Sequence, residues 1–352
     1  MKALILTGGQ GTRLRPFTCS TPKPLLPVVN VPFLHHPLAL LRRHGVREVT
    51  LATAYRPGAF RRAFGDGRRL GLRIRYSFEK EPLGTGGAVR NACAGTRGTL
   101  LVLNGDVLHD MDFGAFLRFH RARGSEASIA LTPVKDPTLY GLVETDARGR
   151  IRRFLEKPSP DEISTNTINA GAYLFEPSVL ERIPPGVYSL ERGLFPGLLA
   201  AKRPFYAWVS PGYWLDIGTV EKYLQAHLDA LAGLTPLHRP ELRRKGAFLL
   251  EPGVRLGADA AHDGEGRVLI GRGARVAPGV RFTGSVCLGP RCVVGRGAAL
   301  EDCVLLAGAR VGEGARLSRC VVGQGCRVGP RSTLGPGRAL GDGSTTTEHS
   351  AL

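Results

Sequence analysis

Lysine is scarce in this chain. Only eight of its 352 residues are lysine, and arginine supplies most of the 48 basic side chains. Lys23 and Lys157, each followed by proline, therefore stand out from the background. Long apolar runs are missing as well. None approaches the ~20 residues of a membrane-spanning helix, and no short apolar stretch with a cleavage site opens the chain. The expectation is a cytoplasmic protein with no membrane partner. The seven cysteines are odd in number and form no CxxC pair, which speaks against a disulfide framework or a structural zinc site. Five of them fall in the last third, where they suit small apolar core positions.

Acidic residues are also few, 30 against 48 basic, giving a formal net charge of +18. Such an excess invites a nucleic-acid reading, but the positive residues are spread rather than clustered. Up to Leu250 there are 35 basic and 21 acidic residues, and beyond it 13 and 9. The excess thus lies mostly in the N-terminal part, and no specific nucleic-acid partner is expected.

The most informative stretch is Lys2 to Pro27, KALILTGGQGTRLRPFTCSTPKPLLP. Ala3 to Leu6 is an apolar run of the kind that forms a buried parallel strand. Gly8, Gly9 and Gly11 follow, and a loop with so little side-chain bulk lets backbone N–H groups approach phosphate oxygens. Arg13 and Lys23 add two cations. A P-loop would end in GK[ST], and this loop continues Gly11-Thr12-Arg13. A dinucleotide fingerprint would place a third glycine where Leu14 stands. A plain strand–turn–helix joint would share the glycines, though not the rest of the string.

Further along, strands are expected at Val46–Ala52, at the alternating Leu72–Tyr76, at the buried Leu100–Asp106 and at Ser128–Pro133, with a hairpin formed by Tyr140–Glu144 and Ile151–Pro158. Asp106 closes its strand, at the end where ligands of open α/β sheets sit. A carboxylate there suits Mg2+ in phosphate chemistry. Glu81 to Ala88, EPLGTGGA, reads as a glycine loop leading into a helix from Ala88 to Ala94. Glu156 and Lys157 end a strand side by side, a carboxylate for hydroxyls next to a cation for a phosphate. Asn169 carries both donor and acceptor. Asp216, in YWLDIGT, lies in an apolar, aromatic setting where a carboxylate must be paired, hydrogen-bonded or metal-bound. No Arg or Lys adjoins Asp106 or Asp216 in sequence, so distant partners are expected for both. Thr219 is the better cap for the helix that follows.

From Ile270 a second regime begins. Ile270, Val276, Phe282, Leu288, Val294, Leu300 and Leu306 recur every sixth residue, then Val311 and Leu317, then Val322, Val328 and Leu334, with a one-residue slip before each new run. This hexapeptide period marks a left-handed parallel β-helix. Only His262, before the regular turns, offers a histidine near it, so its expected role is structural and oligomeric. The divisions read from the chain are a catalytic domain over 1–232, a linker over 233–250, the β-helix over 251–338 and a small polar, disordered tail over 339–352.

The string GGQGTRLRPFTCSTPKPLLP resembles the signature of the sugar-1-phosphate nucleotidylyltransferases, GGxGTRLxPxTxxxPKPxxP, with no position broken. FLEKP after YGLV, NAGAY and WLDIGT extend the likeness over almost the whole chain. The resemblance implies a doubly wound, Rossmann-like α/β nucleotidyltransferase domain followed by the β-helix. It further implies an enzyme that joins a nucleoside triphosphate to a sugar-1-phosphate with Mg2+ and assembles as a homo-oligomer. Carried over residue by residue, Arg13, Lys23, Asp106 and Asp216 would be catalytic, the two aspartates holding the metal. Leu6, Gly8, Gly9, Gly11, Thr12, Arg13, Glu81, Gly84 and Thr85 would bind nucleotide, and Gly141, Glu156, Lys157 and Asn169 the sugar phosphate. The order EPLGTGGA, NAGAY, YWLDIGT leans to the branch that uses GTP and mannose-1-phosphate. Branches using dTTP, UTP or ATP with glucose-1-phosphate or another hexose-1-phosphate share the scaffold.

Overall fold

A computed structural model describes residues 1–9, 11–54, 56–93, 95–235 and 241–352. The chain divides into two compact units, residues 1–9 with 37–214, and residues 10–36 with 215–352. This differs from the expected cut near residue 232. The signature loop from residue 11 onward folds with the C-terminal part of the chain, not with the sheet whose first strand precedes it.

The first unit is built on a mixed sheet. Its strands are β1 (Lys2–Leu6), β2 (Glu48–Thr53), β3 (Arg73–Phe78), β4 (Leu100–Asn104), β5 (Ala127–Pro133), β6 (Gly141–Thr145), β7 (Ile151–Glu156), β8 (Thr167–Phe175) and β9 (Phe205–Val209). The main order is β7-β6-β8-β4-β1-β2-β3, with β5 on β8 and β9 on β5. β1 lies parallel between β2 and β4, the arrangement that an apolar strand followed by a glycine break and a helix produces. β6 and β7 form the expected antiparallel hairpin. The helices α1 (His35–Arg43), α2 (Pro57–Phe64), α3 (Gly84–Cys93), α4 (Phe113–Ala122), α5 (Pro177–Leu180) and α6 (Phe195–Ala200) connect the strands. The core gathers Leu4, Val102, Ile129, Tyr173, Phe175 and Phe195, all buried.

One expectation fails here. Gly84, Gly86 and Gly87 do not form a loop before a helix; they are its first turn, since α3 starts at Gly84. Its expected end at Ala94 lies outside the described residues. The glycines let α3 press on the backbone of residues 186–188. The N–H groups of Gly86 and Gly87 both donate to the Tyr188 carbonyl, at 2.9 and 3.1 Å. A Cβ on Gly87 would stand 2.3 Å from the Gly186 carbonyl oxygen.

In the second unit, α7 (Val220–Ala232) starts at Thr219, whose side chain accepts the Lys222 N–H as expected of a cap. Three parallel sheets follow, in which each strand pairs with the strand one coil later. The inward residues form a continuous core that includes Cys292, Cys303, Cys320 and Cys326, and all seven cysteines are free thiols. The hexapeptide period is thus a parallel β-helix, with one adjustment to the register. Leu288 pairs with Leu305, not Leu306. The slip falls at the Asp302 corner, where Asp302 takes φ 42° and accepts the Ser285 N–H at 2.9 Å.

Both ends of the β-helix depart from expectation. Within the span assigned to a linker, Phe248–Leu250 is a strand parallel to Val268–Ile270 of the β-helix, and Arg243–Lys245 pairs antiparallel with it; residues 236–240 lie outside the described residues. The expected disordered tail is instead part of the last coil. Ala339–Leu340 pairs with Val321–Val322, and Arg327 bridges Thr345 while Thr333 bridges Ala351. Small polar residues suffice there because stacking supplies partners for their backbone groups.

Candidate active site

The first cluster lies in the second unit, on the signature loop. Gly11 sits at φ 65°, and a Cβ there would be 3.0 Å from Lys23 Cβ and 3.1 Å from Thr18 Cγ2. Thr18 Oγ1 donates to the Gly11 carbonyl at 2.8 Å. Gly11 is therefore fixed by its backbone angle and by close packing. Lys23, only 7% exposed, is presented on a 3-10 turn flanked by prolines. A buried ammonium is costly unless it meets polar partners or an anion. Thr12 and Arg13 are exposed on the preceding 3-10 turn.

Asp216 belongs to the same unit. Its Oδ1 pairs with Lys222 Nζ, so the expectation of a distant partner is corrected: a cation stands six residues on, brought round by the first turns of α7. A Cβ at Gly218 would lie 2.7 Å from Asp216 Oδ2 and 3.3 Å from Arg13 Nη2. Arg13, Asp216 and Lys222 thus form one charged group around Gly218. Lys222 escaped notice in the sequence because an i to i+6 pair across a helix start follows no simple spacing rule.

The second cluster lies in the first unit. Leu6 ends β1 beside Asn104, and the Gly105 N–H donates to the Leu6 carbonyl at 2.8 Å. The strand expected to run to Asp106 stops at Asn104, and Asp106 lies, partly buried, in the two-residue turn that leads to the short strand Val107–His109. Gly8 and Gly9 come after Leu6, and a Cβ at Gly9 would meet nothing within 4 Å. Packing within the chain therefore does not demand glycine at position 9.

Gly141, Glu156 and Asn169 converge on neighbouring strands. A Cβ at Gly141 would stand 3.1 Å from Glu156 Oε2. Asn169 Nδ2 donates to the Tyr173 hydroxyl at 2.9 Å and its Oδ1 accepts the Gly171 N–H at 2.9 Å. Lys157 is exposed at φ 56°, with its N–H on the Tyr140 carbonyl at 3.0 Å. Burial raises the Glu156 pKa; the charge of Glu191 raises it further, while Lys157 and Arg192 oppose the shift. Glu191 was not singled out in the sequence. It accepts the Thr85 hydroxyl at 2.6 Å and the Ser189 hydroxyl at 2.8 Å. Thr85 also accepts the Leu190 N–H at 2.9 Å, so its hydroxyl is already engaged. Gly84 and Thr85 open α3, and Glu81 is exposed just before it.

Cations, carboxylates and backbone N–H groups of this kind can hold polyanions and hydroxyls. Residues 2–233 match the family described as Nucleotidyl transferase, and residues 264–351 match the GMPPB C-terminal domain. The chain belongs to the nucleotidyl transferase family. This nucleotidyltransferase is 42% identical over 288 residues to the mannose-1-phosphate guanylyltransferase of Mycobacterium tuberculosis, covering 81% of this chain and 79% of that one. It is 35% identical over 333 residues to the UTP–glucose-1-phosphate uridylyltransferase of Synechocystis, covering 89% and 84%. Among solved structures, HddC from Yersinia pseudotuberculosis complexed with GMP-PN is 29% identical with a TM-score of 0.56, covering 64% of this chain and 97% of that one. No described helix is long and apolar enough to cross a membrane.

Proposed function

We propose that this nucleotidyltransferase transfers GMP from GTP to mannose-1-phosphate, giving GDP-mannose and pyrophosphate. The observation that carries the reading is the buried Lys23 packed on Gly11 behind Arg13, a loop made for a polyanion, in a chain similar to mannose-1-phosphate guanylyltransferases. A phosphate oxygen of the sugar-1-phosphate attacks the α-phosphorus, and the bond to the bridging oxygen of pyrophosphate breaks. The nucleophile is already an anion, so no general base is needed and none of the histidines is assigned to the step. The barrier is largely repulsion between anions, which preorganised cations lower.

Arg13 and Lys23 neutralise the triphosphate. The backbone at Leu6, Gly8, Gly9, Gly11 and Thr12 cradles it, with Glu81, Gly84 and Thr85 toward the base. Lys157 meets the sugar phosphate, and Gly141, Glu156 and Asn169 the sugar hydroxyls. Asp106 and Asp216 are assigned to Mg2+, since carboxylate oxygens are the hard donors that ion takes. Among the described residues no three His, Cys, Asp or Glu side chains form a metal cluster, so the assignment rests on these two carboxylates alone. The ion would supply charge neutralisation at the phosphates. The protein acts in the cytoplasm as a homo-oligomer joined through its β-helix.

The similarity to a UTP–glucose-1-phosphate uridylyltransferase supports a second reading, a sibling enzyme for UTP, dTTP or ATP with glucose-1-phosphate or another hexose-1-phosphate. Pyrophosphate release with each triphosphate against mannose- and glucose-1-phosphate, with Mg2+ and with chelator, decides between them. The highest kcat/KM is expected with GTP and mannose-1-phosphate. A higher value for another pair selects the sibling, and no release with any pair overturns both.

A further inference from the structure

Within the second unit the β-helix grips the signature segment at two points. The first is the turn Val29–Asn30, between the short strands Pro27–Val28 and Val31–Pro32. Val29 has φ 45° and Asn30 φ 66°, a left-handed pair that a β-branched residue resists. Contacts hold it there. Asn30 Nδ2 donates to the Leu288 carbonyl at 2.9 Å, and Cys287 Sγ donates to Asn30 Oδ1 at 3.5 Å. The Val29 N–H donates to His227 Nδ1 at 3.3 Å. Burial pushes the pKa of that imidazole down to about 3, which keeps the ring neutral and Nδ1 able to accept.

The second point is the last coil. Ser20 Oγ donates to Asp342 Oδ2 at 2.6 Å, while Asp342 Oδ1 accepts the Gln324 N–H at 2.8 Å. Gly341 lies so near Pro16 that a Cβ would come within 3.0 Å of Pro16 Cβ. The two anchors bracket Lys23, with Ser20 before it and Asn30 after it, and Pro16 joins the Arg13 turn to the same coil.

We propose that the β-helix is a positioning element for the nucleotide loop: Asp342 and the Leu288 carbonyl, through Ser20 and Asn30, fix the backbone that presents Lys23 and Arg13. Asp342 is a positioning residue, since it acts through Ser20. The inference rests on the reading of that loop as the triphosphate site. It assigns to the C-terminal coil a part in nucleotide affinity that a merely structural or oligomeric domain would not have.

The test uses full-length variants, each with its melting temperature and circular dichroism recorded. Asp342→Ala and Ser20→Ala should raise the nucleotide KM by about two- to tenfold, roughly what one ordering hydrogen bond is worth, with the sugar-1-phosphate KM unchanged. The double variant should be no worse than either single. Asp342→Asn, which keeps an acceptor oxygen, should recover most of the affinity. Asn30→Gly keeps the left-handed turn and deletes the Leu288 contact, and should shift the same KM. A nucleotide KM at the wild-type value in both Asp342→Ala and Asn30→Gly, or both KM values rising in parallel, overturns the proposal. Lys23→Ala separates the two readings. If it raises the nucleotide KM while Asp342→Ala does not, only the positioning role has failed. If neither raises it, the loop is not the triphosphate site.

Discussion

Glu156 is where charge, burial and function meet at the level of one residue. Its carboxyl is raised by burial first and by Glu191 second, against Lys157 and Arg192. It therefore takes up a proton at a higher pH than an ordinary glutamate does. As pH falls through that raised value the carboxylate is lost, and under the role proposed for it the sugar-1-phosphate KM should rise. The folded state then binds a proton that the unfolded chain does not, so stability should increase over the same window, opposite in sign to acid denaturation. Glu191→Gln removes the like charge and should move the acid limb of kcat/KM to lower pH. Lys157→Ala removes the opposing cation and should move it higher, while also raising the sugar-1-phosphate KM; pH profiles of the three proteins check this. For the aspartates, Asp106→Asn and Asp216→Asn should each cost about a hundred- to a thousandfold in kcat with the fold intact. If both carboxylates serve the one step proposed for them, the double variant should cost little more than either alone. Normal Mg2+-dependent turnover in a folded single variant would remove that residue from the set.

At the scale of elements, α3 shows how glycines can be dictated by a neighbour and not by a ligand. Gly87 faces the Gly186 carbonyl oxygen at a distance that admits no Cβ, and the Leu83 side chain closes the other side at 2.9 Å. Both obstructions are local, and one is backbone. Gly87→Ala should lower stability by about 1–3 kcal/mol, the usual range for overpacking. Gly197 makes the contrast. It is exposed in α6, its φ is not positive, and a Cβ there would meet nothing within 4 Å. Gly197→Ala should raise stability by about 0.5–1 kcal/mol through helix propensity and a smaller unfolded-state entropy. Urea midpoints of the two variants should shift in opposite directions.

At the scale of the whole molecule, a net charge of +18 meets two anionic substrates. Most of the excess precedes Leu250, so the field should assist encounter and be screened by salt with a Debye length of about 8 Å at physiological ionic strength. Apparent KM values for triphosphate and sugar-1-phosphate should both rise between low and high salt, with kcat changing less. Flat KM values across that range would mean that only close contacts matter.

The family, the buried strand that leads to Asp106, the α7 cap at Thr219 and the β-helix were all legible before folding. Each is written in contiguous residues, as a fixed string, a strand leading to a carboxylate, a capping threonine or a sixth-residue period. Tertiary structure alone decided which parts answer to which. It placed residues 10–36 with the β-helix, supplied Lys222 to Asp216 and Glu191 to Glu156, drew Gly84 into α3 and ordered residues 339–352. The physical reason is the same in each case. A pair such as Ser20 and Asp342 carries no periodicity and no spacing, because the free energy of the contact depends on a distance that only the folded chain sets.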